Sequence, residues 1–174
     1  MIDFSTIEYL KTGNPRQILA FEVLTQNKVL ENIAEFTPVL AGTIPINIDI
    51  ENSDLDIICY WENKIDFKEK LKAVFGKENG FSLRETKIHE QESVIANFRI
   101  EEFEIEIFGQ NIPVYNQNAY RHMLIEYKIL QLKGEKFRQK IIRLKQNGYK
   151  TEPAFGVLLG LKNDPYQELL EYKF

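Results

Sequence analysis

The sequence predicts an α+β fold: a mixed β-sheet with flanking helices, followed by a C-terminal helical layer. Two patterns predict this architecture, because extended apolar segments alternate with helices before residue 113 and only helical segments follow Pro113. The 174 residues, 44% of them hydrophobic, suit one globular unit with a packed core. The change of pattern at Pro113 divides that unit into an α/β core at 1–112 and a helical segment at 113–174 packed on the same core.

A capped helix is predicted over 14–36. Asn14 and Pro15 supply a cap and a first-turn proline, and Gln17 stands at the spacing of a capping box. The apolar spacing slips near 25–27, so one helix with a break and two short helices fit equally well.

Three extended segments follow this helix. The apolar run at 39–41, closed by Gly42, predicts a buried strand that ends in a turn. Isoleucines alternate with other residues over 42–53, which predicts a further extended segment. The nearly continuous apolar run at 55–61 predicts a strand buried over most of its length.

An amphipathic helix and a hairpin are predicted next. Asp66 is a candidate helix cap, and Gly76 ends the amphipathic pattern. Three extended segments then lie at 81–88, 93–100 and 103–108, and the short gap between the last two predicts a hairpin.

The C-terminal part is predicted to be helical throughout. Thr151 and Asp164 are candidate caps for its last two helices. The predicted helical segments are 117–133, 135–147, 152–159 and 165–172.

Charge and composition exclude several classes of function. The 22 Lys and Arg residues against 26 Asp and Glu residues give a net charge of −4, so no global basic field attracts nucleic acid or an anionic membrane. The single cysteine, Cys59, cannot form an internal disulfide, and we interpret it as a buried, unreactive thiol. Two histidines, His89 and His122, cannot make a Cys/His zinc site between them.

Cytoplasmic residence is the expected location. No basic, apolar and small-residue leader opens the sequence, and no apolar run approaches the roughly 18 residues of a membrane span.

Paired carboxylates are the most informative feature of the sequence. Asp54 and Asp56 are two residues apart at the start of a predicted strand, so both face the same side. Glu104 and Glu106 likewise share one face of the segment at 103–108, and Glu106 lies deeper in its apolar run. If the two strands are neighbours, three carboxylates converge, which is a typical arrangement for binding Mg²⁺.

A glycine corner precedes these acids. Gly42 ends a predicted strand and allows close approach of the backbone, and the amide and hydroxyl of Thr43 can donate to phosphate oxygens. The combination of this corner, ten intervening residues, an Asp-x-Asp strand and a later acid-bearing strand resembles the nucleotidyltransferase superfamily, which has the DNA polymerase beta-like fold. The resemblance covers roughly 36–110. Within the superfamily, the sequence most resembles an uncharacterised bacterial branch that is known only as a domain of unknown function.

This resemblance implies an activity and a set of site residues. The family transfers a nucleoside monophosphate from a nucleoside triphosphate to a hydroxyl acceptor by a two-metal mechanism with Mg²⁺ or Mn²⁺. The implied metal-binding and catalytic residues are Asp54, Asp56 and Glu106, with Glu104 as the alternative third carboxylate. The implied nucleotide-binding residues are Gly42, Thr43 and Ser53.

The sequence departs from the family pattern at three points. Thr43 replaces the usual serine, and Glu106 replaces the usual aspartate. The segment after Thr43 also reads as extended, with Pro45, where the family commonly places a short helix.

Two other readings of the same residues stay open. One is a non-catalytic binding or regulatory module on this fold with a protein or RNA partner, and the other is an unrelated α+β domain whose acids lie on the surface. The sequence does not determine the preferred nucleotide base, the identity of the acceptor or the oligomeric state.

Cations in the C-terminal half also have two readings. The basic segment at 133–150 fits two interpretations: a solvent-exposed helix face, or a basic surface that contacts a triphosphate or RNA. His122 and Arg121 read either as structural residues or as phosphate contacts.

Overall fold

The computed structural model describes residues 2–88 and 90–174, which form a five-stranded sheet covered by helices. The strand order is β1-β2-β5-β4-β3. Strands β2 and β5 run parallel, and every other neighbouring pair is antiparallel. The predicted α+β fold with a mixed sheet is confirmed. The strands are β1 (Val39–Ala41), β2 (Leu55–Tyr60), β3 (Asn79–Ile88), β4 (Gln91–Ile100) and β5 (Phe103–Gln110).

The register of the central strands brings the predicted acids onto one level. The predicted hairpin forms between β4 and β5, which turns the chain back so that β5 lies beside β2. In this parallel pair Asp56 lies opposite Glu106. The condition set by the sequence, that the two acid-bearing strands be neighbours, is therefore met.

Among the residues that the structure describes, six α-helices and three short 3₁₀ helices complete the fold. The 3₁₀ helices are Glu8–Thr12, Glu31–Phe36 and Val114–Asn116. The α-helices are α1 (Pro15–Gln26), α2 (Lys64–Phe75), α3 (Asn118–Lys133), α4 (Glu135–Gln146), α5 (Thr151–Leu159) and α6 (Pro165–Leu170).

The first helix has the predicted capping box and the predicted break. The Asn14 side chain accepts from the Gln17 amide at 2.8 Å, and the Gln17 side chain accepts from the Asn14 amide at 3.0 Å. Helix α1 ends at Gln26, and Lys28 then adopts a left-handed conformation with φ 51°. The chain resumes as the 3₁₀ helix at Glu31–Phe36.

Two of the three caps predicted further along are wrong. Helix α2 is capped by Asn63, whose side chain accepts from two amides of the first turn, so Asp66 lies inside the helix. Thr151 is the first residue of α5 rather than its cap, which is Lys150 without a side-chain bond. The cap at Asp164 is confirmed, since its side chain accepts from the Tyr166 amide.

The segment 42–53 is a series of turns, and the predicted extended segment there is wrong. The Ile48 amide donates to the Thr43 carbonyl at 3.1 Å, and Asn47 has φ 57°. Three of the alternating isoleucines are nevertheless buried: Ile44 packs into one hydrophobic cluster, and Ile46 and Ile48 pack into another. A turn held between two cores gave the same alternation as a strand.

The sheet separates these two cores. Ile57 of β2 faces the cluster formed with α1 and α2, whereas Ile58 faces the cluster formed with the C-terminal helices. Asp56 has the same parity as Ile58 and therefore faces the C-terminal helices. The division at residue 112 stays a prediction. Within 2–88 and 90–174, none of the helices combines the length and the apolar character needed to cross a membrane.

Candidate functional site

A cleft of about 700 Å³ lies between the sheet and helices α3, α5 and α6. The turn after β1 contributes Gly42 and Thr43, strand β2 contributes Asp56, and strand β5 contributes Glu106. The opposite wall is helical. Its polar residues include His122, Glu126, Thr151, Glu152 and Asp164.

Asp56 is the centre of negative charge in this cleft. Its side chain is half-buried and faces Glu106 across the parallel pair. Burial raises the pKa of Asp56 well above its ordinary value, and the negative charges of Asp54 and Glu106 raise it further. Asp54 itself is half-buried and lies just before β2, beside the cleft lining. The structure therefore brings the three predicted acids within electrostatic reach of one another.

Glu106 and Glu104 occupy different environments on the same face of β5. The Glu106 side chain is 29% exposed and accepts a hydrogen bond from the Asn97 amide group at 3.1 Å. Glu104 is 58% exposed, pairs with Arg99 at 3.0 Å and lies outside the cleft lining. Of the two glutamates, only Glu106 lies opposite Asp56.

Gly42 allows the corner of the turn to close against the acids. Its φ is 79°, a conformation that favours glycine, and a Cβ built on Gly42 would overlap the Asp56 carboxylate. Thr43 and Ser53 meet at the same corner, with their hydroxyl oxygens 3.4 Å apart. The Ser53 hydroxyl also accepts from the Ile50 amide at 2.9 Å, which holds the far end of the turn.

The donor set suits a hard divalent cation, although the acids are not drawn together on one point. Among the described residues, no three His, Cys, Asp or Glu side chains form a cluster arranged to hold a metal. The oxygen-only donors Asp54, Asp56 and Glu106 are nevertheless those that Mg²⁺ and Mn²⁺ prefer. A cation between them would offset the repulsion that raises the pKa of Asp56.

Two cationic side chains of helix α4 stabilise the turn at 42–53 by donating to its main-chain carbonyls, a role that the sequence did not predict. Arg138 donates to the carbonyls of Ile46 and Asn47 at 2.5 and 3.1 Å. The buried Lys145 donates to the Ile48 carbonyl at 2.8 Å. The signal was present in the spacing, because Lys145 follows the buried Ile141 by four residues and so lies on the same helix face.

Replacing Lys145 with methionine is expected to lower the free energy of unfolding by about 1–3 kcal/mol, because the buried Ile48 carbonyl loses its donor. Urea unfolding at neutral pH measures this change. The exposed Lys140→Met on the same helix is the matched control, with an expected change below about 0.5 kcal/mol. Equal stability of Lys145→Met and the natural chain would contradict this stabilising role.

The histidines and the cysteine have these environments. The buried His122 has its Nε2 2.8 Å from the Tyr166 carbonyl oxygen, which ties α3 to α6. Arg121 is exposed and donates to Asn118 on its own helix at 3.3 Å. Cys59 is fully buried as predicted, and burial raises the pKa of its thiol. His89 lies outside the described residues.

A family model described as "Domain of unknown function (DUF4269)" matches residues 22–172. The chain belongs to the DUF4269 family. No curated protein sequence matches it.

Solved structures similar to this DUF4269 protein include the Cid1 poly(U) polymerase and the GLD-2/RNP-8 complex. A Cid1 poly(U) polymerase bound to Mg 3'-dATP matches with a TM-score of 0.55 and 15% identity over 90% of this chain and 48% of that chain. The GLD-2/RNP-8 complex matches with a TM-score of 0.55 and 13% identity over 88% of this chain and 63% of that chain. The DUF4269 chain thus spans less than two thirds of either neighbour.

These identities establish the fold and leave the chemistry to the site. The DUF4269 domain has the DNA polymerase beta-like nucleotidyltransferase fold, and the resemblance found in the sequence is confirmed at that level. Since one fold hosts many functions, the activity has to be argued from the residues of the cleft.

Proposed function

We propose that this protein is a nucleotidyltransferase that uses Mg²⁺ or Mn²⁺ to transfer a nucleoside monophosphate from a nucleoside triphosphate to a hydroxyl acceptor. The observation that carries the proposal is the pairing of Asp56 with Glu106 on adjacent parallel strands, beside the glycine corner at Gly42. Negative charge concentrated at one end of a cleft is what a metal-bound triphosphate requires. The Mg 3'-dATP bound to the Cid1 neighbour supports the same ligand class.

Each predicted residue has a role in this proposal. Asp54, Asp56 and Glu106 would hold the divalent cations, whose charge would offset the negative charge on the entering and leaving oxygens. The strand register favours Glu106 over Glu104 as the third carboxylate. Thr43 and Ser53 offer hydroxyls to phosphate oxygens, since the bond between them is long at 3.4 Å.

The reaction balances without a further reactant. The acceptor hydroxyl oxygen forms a bond to the α-phosphorus, and the bond from that phosphorus to the bridging oxygen of the β-phosphate breaks. Pyrophosphate leaves with the electron pair of the broken bond. The hydroxyl proton passes to a nearby carboxylate, for which Glu106 is positioned by its hydrogen bond from Asn97.

A non-catalytic module on the same fold is the second candidate function. The described residues hold no cluster of three ligands for a metal, and Glu106 is already hydrogen-bonded to Asn97. A site with that arrangement could bind a nucleotide, or a protein or RNA partner, without turnover.

Metal-dependent nucleotide binding tests the proposal directly. The natural chain is expected to melt at a higher temperature with Mn²⁺ and one or more of the four nucleoside triphosphates, by a stabilisation of about 2.7 kcal/mol at 100 times Kd. The Asp54→Asn/Asp56→Asn double variant and Glu106→Gln should lose this stabilisation. Glu104→Gln is the matched control on the same strand and should keep it.

The outcomes separate the two candidate functions. No shift for the natural chain, or equal shifts for all variants, would contradict a metal-nucleotide site. A shift together with pyrophosphate release upon adding hydroxyl acceptors establishes transfer. A shift without release from any acceptor, small molecule or RNA, leaves the non-catalytic module.

A further inference from the structure

Glu126 is a buried acid that no internal contact explains. It lies on α3, lines the cleft and is only 4% exposed. Its Oε1 is buried, and none of the described residues hydrogen-bonds it. A buried polar atom without a partner costs about 1–3 kcal/mol. A carboxyl group held in this state, at the wall of an open cleft, is available to a ligand.

The neighbours of Glu126 concentrate negative charge. Burial raises the pKa of Glu126 to about 8, and the carboxylate of Glu152 on α5 is the next cause. Lys145 on α4 opposes this shift, but its ammonium group donates to the Ile48 carbonyl, and no ion pair between Lys145 and Glu126 is found within the described chain. His122, one turn earlier on α3, approaches Glu152 at 3.6 Å.

The charge of the whole lining points to a cation. Across the described residues that line the cleft, five are acidic and none is a lysine or an arginine. Asp56 and Glu106 belong to the proposed metal-nucleotide end, and Asp164 caps α6. The remaining acids of the lining are Glu126 and Glu152, and the cation that acts on Glu126, Lys145, lies outside that lining. An ammonium group would donate to the unpartnered Glu126 oxygen and also offset the negative charge of the cleft lining, whereas a neutral amino group, such as that of a nucleobase, would only donate.

We propose that Glu126 and Glu152 bind a protonated amine of the acceptor, so that the acceptor is a small molecule carrying both an amine and the reacting hydroxyl. This inference rests on the proposed nucleotidyl transfer, because that reaction requires an acceptor. Its placement follows from the cleft, because Glu126 and Glu152 line the same cleft as Asp56 and Glu106, and the charge of Glu152 acts on Asp56. The amine site therefore lies near the reacting end of the cleft, where an acceptor hydroxyl has to be.

Binding of the amine has a protonation signature. Near pH 7 most Glu126 side chains are protonated, because the pKa is about 8. An ammonium group placed beside Glu126 favours its carboxylate form, so the carboxyl proton leaves for the buffer. The charged groups that act on Glu126 in this equilibrium are Glu152 and Lys145, and His122 lies beside Glu152. Proton release upon binding is therefore expected near pH 7.

Calorimetry with two matched probe pairs tests this inference without metal or nucleotide. Glucosamine is compared with glucose, and putrescine with butanediol. We expect at least one amine to bind the natural chain while its neutral partner does not, with heats that depend on the ionisation enthalpy of the buffer. Glu126→Gln and Glu152→Gln should each raise the Kd about tenfold or more, and Glu126→Gln should also abolish proton release. Glu69→Gln, an exposed acid on α2, should change neither quantity.

The possible results either support or overturn the inference. Failure of both amines to bind, or equal binding of amines and neutral partners, overturns it, as does unchanged amine binding by folded Glu126→Gln. If Glu126→Gln instead alters only the preference among Mn²⁺-nucleoside triphosphates, Glu126 contacts the nucleobase of the triphosphate, and the proposed amine site is wrong. Amine binding with no metal-nucleotide binding would sink the transferase proposal while keeping the amine site.

Discussion

Replacing Asp56 with asparagine is expected to stabilise the metal-free protein by about 1–2 kcal/mol and to remove its response to Mn²⁺ and nucleotide. The stabilisation follows because the ionised Asp56 is held near Asp54 and Glu106 in a half-buried place, which raises its pKa. The native state therefore binds a proton that the unfolded chain has already lost, so its stability falls as the pH rises above the ordinary range of aspartate. Asparagine removes that loss together with one ligand of the proposed metal.

Urea unfolding at neutral pH with a chelator measures the first effect, and melting with Mn²⁺ and nucleotide measures the second. The advantage of Asp56→Asn should shrink in acid, where Asp56 of the natural chain is protonated as well. Glu104→Gln should show neither effect, because Glu104 is exposed and paired with Arg99. A less stable Asp56→Asn at neutral pH would contradict the repulsion described above.

The second large effect is expected on the pH dependence of the free energy of unfolding when Glu126 is replaced with glutamine. Its pKa is about 8 in the folded protein against an ordinary value of 4.5, so between these pH values the folded chain holds a proton that the unfolded chain lacks. Stability conferred by the protonated form is lost as the pH rises through this window, by about 3–5 kcal/mol in total. Glu126→Gln, which keeps the shape and remains neutral, should lack this component of the pH dependence.

Chemical unfolding of the natural chain and of Glu126→Gln at about pH 5 and about pH 9 checks this expectation. The variant should be close to the natural chain at the lower pH and clearly more stable at the higher pH. Parallel pH profiles for the two proteins would show that Glu126 is not a buried, protonated acid. Glu69→Gln serves as the exposed control.

The sequence predicted those features that depend on local pattern. The capping box of Asn14 and Gln17 needs only four residues, and the parity of Asp54 and Asp56 needs only a strand. The hairpin that returns Glu106 toward Asp56 depended on one short connection. These rules act within a few residues, so a single sequence is enough to apply them.

Features set by packing between distant segments could not be predicted in the same way. The turns at 42–53 have a strand-like alternation because two cores bury opposite sides of them. Glu126 looks like an ordinary polar position on an amphipathic helix, and its burial depends on how α3 docks. The spacing places Lys145 on the same helix face as the buried Ile141, but the carbonyl that Lys145 reaches depends on how α4 docks. Propensity and periodicity carry no information about that docking.

The hydrogen bonds from helix α4 to the turn after β1 determine which parts of the turn sequence can change among relatives. Arg138 and Lys145 hold main-chain oxygens, which every amino acid provides, so the hold does not depend on which side chains occupy 46–48. Relatives could therefore exchange Ile46 and Ile48 for other apolar side chains that fill the same core, while the corner at Gly42 and Thr43 keeps its place. Deleting α4, in contrast, would release the corner even with every acid left intact.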